Sequence, residues 1–259
     1  MLRNMKGLLG YKIVASDGEI GRVEDFYFDD AAWRVRYLVD HTGGWLRAGK
    51  HLLISTEALM PPDWKSRSFP VNLDRKSVQE SPEVEKRIPV TRADEERVAK
   101  YFGWPLYWGE SWGYGAGIFS QSLMARAAMT EREAAEAEEK GPPPKGCEPG
   151  LRSLKATEGF RVEAVDGTAG HVADFIASDE TWELLFIVVD TRVWLPGHRV
   201  LMAAHCAGNV DFGGKRVHVN LSRNEVKTSP EYDPSTPINR DYADGLYDYY
   251  GRPRAGKRS

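Results

Sequence analysis

Residues 17–39 read DGEIGRVEDFYFDDAAWRVRYLV, and residues 166–188 read DGTAGHVADFIASDETWELLFIV. The second stretch repeats the first 149 positions later. Aligning Gly10–Leu52 with Gly159–Leu201 gives 43 pairs, of which 15 are identical. They include Asp17/Asp166, Gly18/Gly167, Gly21/Gly170, Asp25/Asp174, Phe26/Phe175, Trp33/Trp182, Trp45/Trp194 and Leu46/Leu195. A single deletion then resets the offset to 148, and Val71–Pro105 matches Val219–Pro253 with 13 identities in 35 positions. A period this long describes two copies of one domain rather than a solenoid.

Within each copy the pattern is one of short strands and tight turns. Lys12–Ala15 is a predicted strand ending at Asp17-Gly18, a pair that tolerates positive φ and suits a hairpin turn. Gly21–Asp29 alternates as a second strand, and Trp33–Val39 returns as a third after Asp29-Asp30. Its counterpart WELLFIVV is nearly all apolar, the signature of a strand buried on both faces. Lys50–Ser55 is the next strand, with Phe69–Leu73 and Lys76–Gln79 predicted as further ones. Short strands joined by Gly and Asp turns predict a mainly β protein, and in about 100 residues a small closed antiparallel barrel removes exposed edges. Each copy then closes with a short helix, over Asp94–Phe102 and, less regularly, Tyr242–Tyr250.

The predicted organisation has four segments: barrel repeats over 5–105 and 151–253, a connection over 106–150 and a basic tail over 254–259. The connection opens with the aromatic and glycine-rich WPLYWGESWGYGAGIF. Thr130–Lys140 follows as an acidic helix, capped by Thr130 with Glu133 three residues on. GPPPKG then makes a semi-rigid spacer.

Composition excludes several classes. A 41% apolar and 28% charged chain has ordinary globular chemistry, and its eight Trp, eleven Tyr and nine Phe can fill two small cores. The formal charge of −3 gives no global field for nucleic acid. Only Cys147 and Cys206 are present, too few for a disulfide framework or a CxxC zinc site. The N-terminal MLRNMKGLLGYKIV lacks the apolar core of a signal peptide, and no apolar run approaches the ~20 residues of a membrane helix. The expected location is the cytoplasm, peripheral to a membrane complex if one is the partner.

D-G-x-x-G-x-V-x-D-F at Asp17–Phe26, a Trp just past an Asp turn, V-D-T at Val189–Thr191, W-L-P-G-x-x-V-L at Trp194–Leu201 and the closing VNL, SPE and YYGRP words together resemble the PRC-barrel family. That family includes the barrels of the photosynthetic reaction-centre H subunit and of the bacterial ribosome-maturation factor. The resemblance spans both copies, about 200 residues, and omits the connection. It implies protein docking and assembly rather than one chemistry. Copy one departs from the pattern at Val39-Asp40-His41-Thr42, where His41 stands in the place of Asp190, and at Arg47-Ala48-Gly49.

Paired carboxylates such as Asp17/Asp166 and Asp25/Asp174 can do acid–base work, yet the simpler reading is turn chemistry and surface charge. The six histidines form no HxH or HxxxH pair. Gly113–Gly117 follows no buried parallel strand and lacks a GK[ST] end, so it is not read as a phosphate loop. No catalytic residue, cofactor site or metal site is assigned. The candidate interaction surface is His41, Asp190, Trp45, Trp194, Trp108, Trp112, Tyr249 and Tyr250, because Trp and Tyr dominate interface hot spots. The sequence thus predicts a non-enzymatic interaction module with an unidentified protein partner or a second copy of itself, in a membrane or ribonucleoprotein complex. The alternatives are an RNA-processing or ribosome-maturation accessory, a small-ligand binder, or an enzyme with a site at the barrel interface.

Overall fold

The computed structural model describes residues 1–41, 51–82, 84, 90–107, 151–191, 198–234, 238, 242, 245, 246 and 249. The acidic helix and Pro-rich spacer, the basic tail, and Trp45, Trp194, Trp108, Trp112 and Tyr250 lie outside them.

The first half is built from β2 (Lys12–Ala15), β3 (Gly18–Asp29), β4 (Arg34–His41), β5 (His51–Ser55) and β6 (Ser68–Pro70), followed by helices α1 (Arg75–Glu80) and α2 (Arg92–Phe102). The second half is built from β8 (Arg161–Ala164), β9 (Gly167–Ser178), β10 (Leu184–Asp190), β11 (Arg199–Ala203), β12 (Ala207–Asp211) and β13 (Arg216–Val219), with helix α4 (Arg223–Lys227). Both sheets share one order. The first runs β5-β4-β3-β2-β6, and the second runs β11-β10-β9-β8-β13-β12. In each, a hairpin meander meets one parallel pair, β2 with β6 and β8 with β13. The fold is therefore mainly β, as predicted. Among the described residues no ladder joins β5 to β6 or β11 to β12.

The registers correspond residue for residue. Ile13 faces Gly21 and Val162 faces Gly170; Phe26 faces Leu38 and Phe175 faces Ile187. The deletion falls earlier than the sequence alignment put it. Val39 faces Leu53 while Val188 faces Leu201, so β5 and β11 already stand at an offset of 148. A strand must keep its pleat, so the missing residue is taken up in the β4–β5 connection rather than beyond β5.

Two local readings are corrected. Lys76–Gln79 is not a strand: it lies within α1, whose N-cap Asp74 accepts the Ser77 N–H at 2.7 Å. The hairpin turn is not made by Asp17-Gly18 at positive φ. Ala15 pairs with Gly18, so Ser16 and Asp17 form the turn, and of these four residues only Gly18 has positive φ, at 141°. Asp17 instead accepts the Arg75 N–H of α1 at 2.9 Å, as Asp166 accepts that of Arg223 at 2.7 Å. The repeated aspartate ties a helix start to a turn.

Two short strands cross between the halves. β1 (Leu2–Asn4) pairs with β9 of the second sheet, and β7 (Leu151–Ser153) pairs with β3 of the first. Leu2 faces Ser178 as Leu151 faces Asp29. One continuous core runs through both halves, from Ile13, Phe26 and Phe69 to Phe175, Phe186 and Val217. A smaller cluster, including Tyr27, Tyr37, Val39, Leu53 and Val98, fills the space between the first sheet and α2.

Candidate functional site

The repeated motif residues converge where the halves meet. After β7 the chain turns into the short helix α3 (Leu154–Thr157), whose N-cap Ser153 accepts the Ala156 N–H at 2.8 Å. The same serine hydroxyl donates to Asp25 Oδ2, and the Lys155 N–H donates to Asp25 Oδ1 at 3.1 Å. Asp25 also accepts its own neighbour's amide, Phe26 N–H, at 2.7 Å. The second half mirrors this. Asp174 accepts the Phe175 N–H at 2.7 Å and the Lys6 N–H at 3.1 Å. Each aspartate therefore grips the turn that follows the other half's leading strand.

Both aspartates are buried, which corrects the surface reading made from sequence. Burial pushes the Asp174 carboxyl up to about 6, against the lowering effect of the two backbone amides. Burial also raises Asp25, opposed by the Ser153 hydroxyl. At the Asp174 latch, Asn4 of the first half stands where Ser153 stands at Asp25. It turns its amide to the Tyr232 hydroxyl, 3.2 Å away, and its oxygen to the Gly7 N–H. Asp174 thus has one side-chain donor fewer than Asp25.

The two tryptophans complete the junction. Trp33 and Trp182 are buried with φ of 51° and 58°, a left-handed conformation that costs a bulky residue about 1–2 kcal/mol. Their burial offsets that cost. Trp182 stacks on Phe26 at 6.1 Å between ring centroids, and Trp33 lies against Phe175 at 6.4 Å. The carbonyl of Trp33 accepts the Leu184 N–H at 2.7 Å, and that of Trp182 accepts the Val35 N–H at 2.9 Å. Ion pairs repeat the exchange. Arg3 Nε meets Asp179 Oδ2 at 3.0 Å, and Arg152 Nε meets Asp30 Oδ2 at 2.8 Å. The D-F word and the tryptophan of the repeat are thus the contact residues of a pseudo-twofold interface. Sequence signalled them by repetition but carried no sign of what they touch.

The junction cavity, between Met5, Lys6, Asp25, Phe26, Lys155 and Asp174, has a volume of about 10 Å3, room for about one water. A larger open groove of about 540 Å3 lies at the rim, lined among others by Arg34, Met60, Pro61, Pro62, Trp64 and Trp182.

Among the described residues a second polar cluster occurs in the first half only. Glu95, in the first turn of α2, is fully buried and accepts from Arg92 Nη1 at 3.3 Å. Arg92 also donates to the Tyr107 hydroxyl at 2.8 Å, and the Arg36 guanidinium lies 4.1 Å over the Tyr107 ring. Burial holds the Glu95 carboxyl up at about 7 despite Arg92. Leu185 stands in the second half where the first has Arg36.

Of the residues predicted to form an interaction surface, three can be placed. His41 ends β4, opposite His51. Asp190 ends β10, buried, with Arg199 Nε at 3.9 Å. Tyr249 is exposed, and its hydroxyl donates to the Glu225 carbonyl at 3.3 Å, as Tyr101 does to Ser77 at 3.0 Å. None of the three lines the junction cavity. Among the described residues no group of three or more His, Cys, Asp or Glu converges as metal ligands, and no helix is long and apolar enough to cross a membrane.

These features define a mainly β protein whose repeated motif is spent on holding two sheets together. Residues 6–68, from the turn after β1 through β2–β5 to the start of β6, match the PRC-barrel domain family. No curated protein matches the chain.

Proposed function

We propose that the chain is a non-enzymatic assembly module in which two PRC-type barrels, the second formed by residues 151–253, dock on each other and present the joined pair to another protein. The observation that carries this reading is the reciprocal junction. Asp25, Phe26, Trp33 and their counterparts meet the other half, and the cavity between the two aspartates has room for about one water. A PRC-barrel domain is itself a small interaction module, which supports the same reading. The partner belongs to a membrane-associated or ribonucleoprotein assembly, and the site of action is the cytoplasm. Cross-linking in the native cells followed by capture of the full-length chain tests this. A reproducible protein partner is expected; turnover of a metabolite with no protein partner in repeated captures would sink it.

A further inference from the structure

One position in the junction lies on the pseudo-twofold axis itself. Arg34 and Glu183 face each other in an antiparallel bridge, flanked by the Val35 N–H to Trp182 carbonyl and Leu184 N–H to Trp33 carbonyl bonds. They are also equivalent positions of the repeat, 149 residues apart. A residue on a twofold axis meets its own counterpart. In a pair of two first halves Arg34 would therefore face Arg34, and in a pair of two second halves Glu183 would face Glu183. Side chains directly opposite in an antiparallel pair stand about 5 Å apart, where opposite charges attract and like charges repel. Arg34 is half-buried, so solvent screens it incompletely; Glu57 and Glu183 are the acids that favour its charge, while Arg36 opposes it.

The other charged pairs of the junction bring no like charges together in any pairing: Lys6 with Glu158 and the Met1 amine with Glu180 are made once, because Leu9 and Ala31 stand at the equivalent places. Arg3 with Asp179 and Arg152 with Asp30 are the same arginine-to-aspartate contact made twice. Pairing like halves would exchange their partners and keep both bonds. The Asp25 and Asp174 latches accept backbone amides, which either half supplies. Among the described charged residues of the junction, only the axial position changes sign between the copies.

We infer that Arg34 and Glu183 make the junction selective for unlike halves, so that a second copy of this chain can join it only by trading halves, first with second. Specificity here comes from repulsion in the wrong pairing as well as attraction in the right one. The segment 108–150 sets the competition, because it makes the unlike pairing within one chain intramolecular, at an effective concentration on the order of a millimolar.

The test uses full-length Arg34→Glu, Glu183→Arg, the double reversal, and the neutral Arg34→Gln/Glu183→Gln pair. Hydrogen exchange at the β1 and β7 amides reads opening of the junction. Each single reversal is expected to raise opening about fivefold, the double reversal to return within about twofold of the natural chain, and the neutral pair to fall between. Single reversals without effect, or a double reversal as open as the two singles combined, would overturn the inference. The neutral pair keeps the comparison readable if a charge reversal fails to fold. In a second arm, the Arg34→Glu and Glu183→Arg chains are unfolded together and refolded at about 1 mM, near the effective concentration set by the connection. Each is like-charged within itself, and both junctions become unlike-charged across the two chains. A species of twice 29.1 kDa, enriched about tenfold over either chain refolded alone, is expected. Equal dimer in the mixture and in the separate chains, or none in either, would overturn it.

Discussion

The two halves carry the same ladder but finish its edge differently. In the second half β12 lies beside β13, with Ala207 facing Val219 and Asp211 facing Arg216. The first half keeps the equivalent ends, Leu59 facing Val71 and Asp63 facing Ser68, but as isolated bridges. Pro61 and Pro62 stand between them, and neither has an N–H to give to a ladder. The second half breaks its own edge by another route, a register shift between Ala207 and Val210. Exposed edges invite pairing with other chains, and prolines and bulges are two ways of preventing it. A repeat keeps its interior by register and leaves its edges free to differ.

The same contrast holds in the core and can be broken at paired positions. Phe69 touches Tyr11, Phe26, Trp64 and Trp182, whereas Val217 fills its place in the second half. Phe69→Ala is expected to cost about 3–5 kcal/mol and Val217→Ala about half as much, read from urea unfolding midpoints. Equal losses would mean that the first half does not depend on its aromatic cluster.

Glycines at equivalent places are required for different reasons. A Cβ on Gly170 would stand 2.5 Å from the Asp190 carbonyl oxygen, at a φ of 155°. A Cβ on Gly21 would collide with the Asp40 carboxylate. Gly170→Ala should therefore cost about 2–3 kcal/mol whatever its neighbours, while the loss from Gly21→Ala should shrink when Asp40 is also truncated. Thermal melts of the four variants check this, and a Gly21→Ala loss unchanged by Asp40→Ala would refute the assigned contact.

Asp40 also separates the halves by pH. It is fully buried, accepts the Arg22 N–H at 2.8 Å, and has Val189 as its counterpart. Burial, with Glu24 nearby, pushes its carboxyl up to about 7. A carboxyl held above its ordinary 3.8 in the folded state contributes stability below that value, and the contribution is lost as pH rises through 7. Asp40→Asn should thus gain about 1–2 kcal/mol at pH 8 and nothing near pH 4, measured as urea midpoints across that range. A gain that does not change with pH would place the effect in packing.

The smallest expected effect lies in the junction. Ser153→Ala removes the hydroxyl donor to Asp25 and the cap of α3, and should weaken the β7 side by about 1 kcal/mol. Asn4→Ala should cost less, since Asn4 bonds Tyr232 and Gly7 rather than Asp174. Hydrogen exchange at β7 and β1 amides reads the two separately. Equal opening on both sides would mean that the aspartates do not latch the halves.

Much of the fold was legible because it is local. Strand periodicity located β2 to β5, and the Thr91 cap with Asp94 and Glu95 in the first turn explains α2, which begins slightly before the predicted Asp94. Lys76–Gln79 was misread because four residues carry little periodicity, and the Asp74 cap decides for a helix. The candidate site was hardly legible. Repetition marked Asp25, Phe26 and Trp33 as important, but a recurring aspartate beside glycines has a ready turn explanation. Nothing local shows that Ser153, at a distance of 128 residues, closes on Asp25. The crossing strands LRN and LRS are three residues each, too short to announce a pairing.

The crossed leading strands bear on how the protein is made. The first sheet gains its sixth strand, and Asp25 its partners, only from residues 151–155. A ribosome adding about 5–20 residues per second has made all of β2–β6 several seconds before β7 exists. During that interval Phe26 lacks Trp182, and Asp25 has only the neighbouring Phe26 amide among its junction bonds. The first half must wait, open at one face, for the second to be synthesised.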